Sequence, residues 1–312
     1  MGKIAQRVNN SGLAGQRFYH FAKLLYQKAL YYTMSDEKAI KKRFKQVFGR
    51  ELDLDNPQTL NEKLQWLKIN RRDDFFTLCA DKYSVRQYLA DNFGEELLIP
   101  LLYVTDNYKD IVKENIPDEK CIVKSTHDQG HYQIIRDKNA VDFKRLQESC
   151  RYWLKGNLYY MTREWQYKNI KPRIVIEKLL ETKDGKIPND YKLHFINGEF
   201  QFIYISYDRE GVNDRCIYDK NWNRLPFMWI EPEKYQAKGD VLNTSIVDKP
   251  ATFEKMLEIG SKIARKFAYV RVDFYDVDGK LYFGEITLYH GSGFDRFFPD
   301  KYDLEFGQKM IL

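Results

Sequence analysis

The stretch VRVDFYDVDGKLYFGEIT, residues 270–287, decides how this 312-residue chain is read. Two β-rich runs flank Asp278-Gly279, a dipeptide that marks a hairpin. One alternating set is apolar: Val270, Val272 and Phe274, then Tyr282, Gly284 and Ile286. The other holds Arg271, Asp273 and Tyr275, then Phe283, Glu285 and Thr287. Because side chains alternate with period two, the length of the loop decides whether Asp273 and Glu285 share a face. A two-residue Asp-Gly turn pairs Val277 with Lys280 and separates the two acids. A three-residue loop, residues 277–279 with Gly279 left-handed, pairs Asp276 with Lys280 and sets Arg271 opposite Glu285, with Asp273 diagonal to it and Thr287 beside them. That register also gathers the apolar residues, so it is the one expected. Two carboxylates and a hydroxyl on one face are hard oxygen ligands, suited to magnesium held jointly by protein and nucleotide phosphates. Arg271 stands close enough to steady a transferring phosphoryl group. A cross-strand salt bridge on a solvated face uses the same residues, and the hairpin alone does not choose between the two.

Working outward, the 37.4 kDa chain is long enough for one large domain or two to three lobes. Its aromatic content of 15% is high and suits a mixed fold with many half-buried strands. A net charge of +6 falls short of a nucleic-acid footprint, so no such partner is expected. Cys79, Cys121, Cys150 and Cys216 lie far apart without a CxxC, which implies reduced thiols, a cytoplasmic protein and no zinc site. The longest apolar run, LLIPLLYV, is too short to span a membrane and leads into a strand, and a signal peptide is not expected. The first 34 residues carry five basic and no acidic residues among aromatics, which permits a basic amphipathic helix at the surface of an inner membrane. A helix packed on its own domain, with a solvated basic face, is the preferred expectation.

The N-terminal third reads as helical. In TLNEKLQWLK, Thr59 and Glu62 have capping-box spacing, and Leu60, Leu64 and Leu67 form one stripe. ADKYSVRQYLADNFG follows, with Asp81 as cap, Val85, Tyr88 and Leu89 inward and Gly94 as stop; Lys82 then falls in the first turn, where a cation is tolerable if an anion lies before it. From about residue 98 strands take over. KCIVKSTHDQGHYQII reads as a strand ending at Lys124, a polar loop containing Gly130 and a strand resuming at Tyr132. A helix, VDFKRLQESCRYWL, precedes the strand RIVIEKLLE, and YKLHFINGEFQFIYISY is a hairpin turning at Asn197-Gly198. A loop-like section runs from about residue 208 to 249, and the amphipathic helix TFEKMLEIGSKIARKF delivers the chain into the opening hairpin.

The ordered set is Lys82 at a helix start, Lys124 before a glycine-containing loop, EKLL at a strand end, Lys192 on a third strand, then Arg271, Asp273, Glu285 and Thr287. This order and spacing resembles the ATP-grasp superfamily, and residues 271–287 look like the metal hairpin of D-alanine:D-alanine ligases. NPQTLNEKLQWLK, DKYSVRQYL and DYKLHFING resemble the TupA-like ATP-grasp group, named for teichuronopeptide synthesis and found in capsule and O-antigen gene clusters. The resemblance extends from about Asn56 to the C-terminus.

The resemblance implies an α+β ATP-grasp fold: two α+β lobes clasping ATP, with an N-terminal helical segment. Its boundaries would be an N-terminal segment over 1–55, a helical lead-in over 56–97, a small lobe over 98–178 and a C-terminal lobe over 179–312. Lys82 and Lys124 would neutralise nucleotide phosphates, and the loop from Ser125 through His127 and Gly130 to His131 would close over them. Glu177, Lys178, Leu179 and Leu180 would read the adenine edge with their backbone, Asp190 the ribose and Lys192 the phosphates. Asp273, Glu285 and Thr287 would hold one or two Mg2+ ions, and Arg271, with Lys192, would serve catalysis. The family usually has Asn at the position of Thr287, which keeps an oxygen ligand but touches the occupancy of one metal. The implied activity is an ADP-forming carboxylate-amine ligase acting through an acyl phosphate on a uronic-acid-containing surface polysaccharide or its precursor. Its partners would be a carboxylate-bearing glycan or small molecule and an amine. A sugar or polysaccharide kinase, a glycosyltransferase of the same pathway, and a non-catalytic assembly partner at the membrane surface are the competing readings.

His127 and His131 flank a loop glycine, so a zinc pair is not expected and contact with phosphate is. HGSGFDRFFPD after the hairpin offers either backbone donors or a tight turn. The chain has no GxxxxGK[ST], no HRD or DFG set and no GxSxG, which removes P-loop ATPases, ordinary protein kinases and serine hydrolases.

Overall fold

In the computed structural model, which describes residues 8, 11–211, 214–237 and 246–312, the chain forms two compact units that interleave along the sequence. One takes in residues up to 36, 77–86 and 99–179; the other takes in 37–76, 87–98 and 180–312. The expected blocks 1–55 and 56–97 are therefore each divided between the units, because helices without a core of their own bury their stripes on sheets formed later in the chain.

The first unit is built on strands β1 (Leu101–Thr105), β2 (Cys121–Ser125), β3 (Tyr132–Ile135) and β4 (Ile174–Lys178), an antiparallel sheet in the order β1-β4-β2-β3. Helix Phe143–Lys155 starts at Asp142, whose side chain accepts from the Arg145 N–H at 3.1 Å, and contributes Leu146, Cys150, Tyr152 and Trp153 to a core shared with Cys121, Val123, Ile174 and Ile176. Helix Leu13–Tyr32 packs on it with Gln16 and His20 inward.

The second unit has a five-stranded antiparallel sheet, β10-β9-β5-β6-β7, made of β5 (Asp190–Ile196), β6 (Glu199–Tyr207), β7 (Asp214–Tyr218), β9 (Tyr269–Val277) and β10 (Lys280–Thr287). A second, two-stranded sheet pairs β8 (Met228–Ile230) with β11 (Arg296–Phe298). The expected turn at Asn197-Gly198 joins β5 to β6, both residues having positive φ. Helix Phe253–Ala264 lies on β5 and β9 with Phe253, Met256, Leu257 and Ile263 buried; a Cβ on Gly260 would stand 2.6 Å from the Phe195 ring, so glycine sets how closely helix and sheet approach. In helix Leu60–Asn70 the capping box is present: Thr59 Oγ1 accepts from Glu62 N–H at 3.3 Å and Glu62 Oε2 accepts from Thr59 N–H at 2.9 Å.

The section from 208 to 249, expected as loop, contains β7, β8 and helix Pro232–Ala237; residues 212–213 and 238–245 of it lie outside the described residues, as do 1–7 and 9–10 of the basic N-terminal segment. Short strands with buried Cys216, Ile217, Met228 and Trp229 carry too few residues to show a period. The four cysteines are buried thiols outside any disulfide. Among the described residues no helix is long and apolar enough to cross a membrane.

Candidate active site

The β9-β10 ribbon turns on two residues. Asp278 (φ +54°) and Gly279 (φ +87°) are both left-handed, the backbone that a tight hairpin needs, and Val277 pairs with Lys280. The expected three-residue loop is thus replaced by the shorter turn, which by itself would part the acids. A bulge restores them. Phe274 pairs with Phe283, the register slips between Phe283 and Glu285, and Asp273 then pairs with Glu285 and Arg271 with Thr287. Glycine at 284 permits this, since a Cβ there would meet the Asp273 carbonyl oxygen at 3.0 Å. The shorter turn also reassigns side chains: Leu281 and Phe283 join the core and Tyr282 turns away from it, the reverse of the expectation for that half of the ribbon.

Strand β5 completes the face. Lys192 pairs with Asp273 and His194 with Arg271, so two rows cross three strands: Lys192, Asp273, Glu285 and His194, Arg271, Thr287. Arg271 is the centre. Its Nε and Nη2 donate to Asp273 Oδ1 and Oδ2, both at 2.7 Å, Nη2 also reaches Glu285 Oε1 at 2.7 Å, and Nη1 donates to His290 Nδ1 at 3.1 Å. Lys192 Nζ donates to Asp273 Oδ2 at 3.2 Å and to Asp190, while Thr287 Oγ1 donates to Glu285 Oε1 at 3.1 Å. Asp273, Thr287 and Arg271 are buried; the Glu285 side chain is 30% exposed and is the carboxylate that meets solvent.

The charges respond to burial. Burial opposes the Arg271 guanidinium, but Asp273 and Glu285 outweigh it and hold its pKa above the usual range. Burial pushes the Asp273 carboxyl up, with Arg271 and Lys192 pulling the other way. Burial lowers His290, with Asp295 pulling the other way; with Nδ1 accepting from Arg271, its Nε2–H points to Asp295 Oδ2 at 3.2 Å. His194, wholly enclosed, is lowered further by burial and by His290 and Arg271.

The first unit holds a different cluster. Lys124 Nζ lies 2.5 Å from Glu177 Oε2, and Arg86 Nη1 lies 3.3 Å from Glu177 Oε1 while its Nη2 donates to the Ile99 carbonyl at 2.9 Å. Asp81 accepts from Tyr83 N–H at 3.0 Å as the expected cap, but the helix begins at Val85, so Lys82 sits in the turn before it. Lys82 N–H donates to Thr126 O at 3.1 Å and its Nζ to Asp128 O, which ties it to the loop after β2. Asp128 organises that loop, accepting from Ser125 Oγ and lying 2.6 Å from His131 Nδ1; Gln129 and Gly130 (φ +81°) are exposed at its tip. His127 was expected at a phosphate. It is buried instead, 2.9 Å from the Trp153 carbonyl, and its pKa is lowered by that burial. Of the backbone stretch 177–180, the N–H of Lys178 donates to Pro100 O and that of Leu179 to Lys120 O, both at 3.0 Å, so these two donors are engaged within the unit.

The turn His290–Gly293 is a clasp. Gly291, Ser292 and Gly293 all have positive φ, and the carbonyls of Ser292 and Gly293 accept from Gln65 and Lys68 at 2.6 to 3.2 Å. Of its two readings, the tight turn describes it. Arg86, Asp128, His290 and Asp295 escaped the sequence reading, although Arg86 lies inside DKYSVRQYL and His290 and Asp295 inside HGSGFDRFFPD. Only folding makes Arg86 a neighbour of Glu177 and brings His290 to Arg271, whereas Asp128 lies three residues before His131.

The residues fit a divalent cation by donor chemistry. Asp273 and Glu285 supply paired carboxylate oxygens, Thr287 a hydroxyl, and buried Asp190 Oδ1 has no hydrogen-bond partner. Among the described residues no group of three or more His, Cys, Asp or Glu is placed to hold a metal by itself.

The family model TupA-like ATPgrasp matches residues 62–311. No curated protein matches the chain. Similar solved structures include D-alanine–D-alanine ligase from Bacillus anthracis complexed with ATP, at 14% identity and TM-score 0.37 over 68% of this chain and 54% of that one. D-alanine–D-alanine ligase from Helicobacter pylori matches at 15% identity and TM-score 0.43, over 81% of this chain and 69% of that one. The ATP-grasp ligase PsnB, complexed with a phosphomimetic variant of its minimal precursor, Mg and ADP, matches at 11% identity and TM-score 0.38, over 73% and 57%. The chain spans little more than half the length of the first and third of these.

Proposed function

The chain belongs to the TupA-like ATP-grasp family, and from that premise we propose that it is an ATP- and magnesium-dependent ligase joining a carboxylate to an amine. The observation that carries this reading is the buried sheet face on which Asp190, Asp273 and Glu285 outnumber Lys192 and Arg271. Such an excess of oxygen ligands favours the arrival of a further cation. Magnesium held by Asp273, Glu285 and Thr287 would neutralise triphosphate charge there. By the family resemblance Lys82, Lys124 and Lys192 serve as point charges toward phosphate, and Asp190 serves the ribose. Arg271, freed in part from Glu285 when a metal takes that carboxylate, steadies the phosphoryl group in transfer.

In the proposed reaction a carboxylate oxygen attacks the γ-phosphorus and ADP leaves. The amine nitrogen then attacks the acyl carbon, phosphate leaves, and the nitrogen gives up a proton as the amide forms. An anionic acceptor suits a cleft of about 280 Å3 in the second unit, lined in part by Arg71, Arg72, Lys266, Phe76, Tyr269 and Tyr289. Tyr269 and Tyr289 each lie two residues beyond the Arg271–Thr287 pair, at the foot of the ribbon. The volume sits at the low end for small-molecule clefts and suits one sugar ring with a carboxylate, such as a hexuronate of a surface polysaccharide precursor.

The test is phosphate release from ATP and magnesium with glucuronate and an amino acid or amino sugar. Release that requires both is the expected result. ADP formation with a neutral sugar alone, without release of phosphate, would make the protein a kinase, and thermal stabilisation by UDP-sugars but not by ATP would make it a glycosyltransferase.

A further inference from the structure

Helix Leu13–Tyr32 buries a mixed face, with Leu24 and Tyr31 packed on its unit, and exposes an apolar one. Toward its own unit it also turns polar residues: Gln16 donates to Ser149 Oγ at 3.0 Å, and His20 lies 3.3 Å from Glu148 Oε1 and stacks on Tyr152. Toward solvent it turns Phe18 (66% exposed), Phe21 (59%), Leu25 (52%) and Tyr32 (76%), at steps of three, four and seven residues that keep them on one stripe. Exposed Ala14, Ala22 and Ala29 widen the stripe. An apolar stripe of this length on a stable helix marks a contact surface.

We propose that this stripe seats the protein on an anionic membrane surface, the helix lying in the interface plane with its aromatic side chains at the headgroup boundary. Charge decides the occupant. The helix contains no acidic residue; Lys28 falls on the stripe between Leu25 and Tyr32, and Arg17 stands one turn before Phe21. Lys28 has an aliphatic stem that lies along apolar surface while its cationic head reaches phosphate; Arg17, 62% exposed, adds positive charge at the edge of the stripe while its Nε lies 3.4 Å from Glu148 Oε2. A second copy of the chain is the poorer occupant, because a two-fold contact through the stripe would set Lys28 and Arg17 against the same cations.

The experiment is co-sedimentation of the full chain with vesicles of phosphatidylcholine, with and without phosphatidylglycerol. The protein should pellet with the anionic vesicles and release as salt is raised. F18S/F21S/L25S, changing exposed side chains only, should melt as the parent does and lose binding by more than about tenfold. K28E, which keeps the apolar stripe, should weaken binding to anionic vesicles by several-fold. Failure to pellet, equal binding to neutral vesicles, or unchanged binding of the triple variant would overturn the proposal. A concentration-dependent dimer abolished by the triple variant would assign the stripe to a second copy.

Discussion

The Lys124 cluster of the first unit and the Arg271 cluster of the second are both buried ion networks, yet they are unbalanced in opposite senses. Around Glu177 two cations, Lys124 and Arg86, share one carboxylate, and Lys82 is tied to the loop after β2. Around Arg271 three carboxylates face two cations. A balanced network needs no ligand, whereas a network short of one sign is poised to bind the other. The contrast teaches that ionisable side chains of the same kinds can recruit either a phosphate or a metal, depending on which partner is in the minority.

The largest effect should come from removing the surplus of acid. D273N/E285Q should lower ATP turnover by at least about 10²-fold, with no rescue by added magnesium. Activity within tenfold of the parent, measured as phosphate release across a magnesium titration, would end the metal assignment. Next in size is a test of the opposite surplus. K124M removes one cation while Arg86 still covers Glu177, and should raise the KM for ATP by about 10- to 100-fold with the magnesium requirement unchanged. A shift in magnesium requirement instead would erase the distinction between the clusters.

A smaller effect tests geometry. G284A forces a Cβ against the Asp273 carbonyl and should cost about 1–3 kcal/mol, read as a lowered melting temperature, together with a raised magnesium requirement. Destabilisation with no change in the magnesium response would show that the bulge serves packing alone.

The smallest concerns an acid outside both clusters. Burial pushes Asp303 up to about 6 while it accepts from the Asn61 N–H at 2.8 Å. A carboxyl raised above its unfolded value of about 3.9 favours the native state when protonated, so its contribution is full below about pH 4 and lost as pH rises through 6. D303N, compared with the parent in thermal melts between pH 4 and 7, should flatten that decline. An identical slope would mean that other groups set it.

Much of this was legible in the sequence because its causes are local. The Thr59-Glu62 box, the Asn197-Gly198 turn and the stripe of helix Phe253–Ala264 each depend on residues within a few positions of one another. The carboxylate face was also foreseen, though by the wrong route. Gly279 was assigned the irregularity that belongs to Gly284, since both glycines satisfy a local rule and only the packing of Phe283 against Phe274 decides between them. The interleaved units, the inward turn of His127 and the support of Arg271 by His290 and Asp295 arise from contacts between distant segments, for which a single sequence carries no period or spacing.

The slip at Gly284 uncouples the ribbon's tip from its acids. Because alignment of Asp273 with Glu285 is reset there, residues 274–283 form a module whose length can change by whole cross-strand pairs without turning either carboxylate to the other side. Loop grafting at Asp278-Gly279 is therefore a route to attach probes or recognition segments close to the carboxylate face while Asp273 and Glu285 stay in phase.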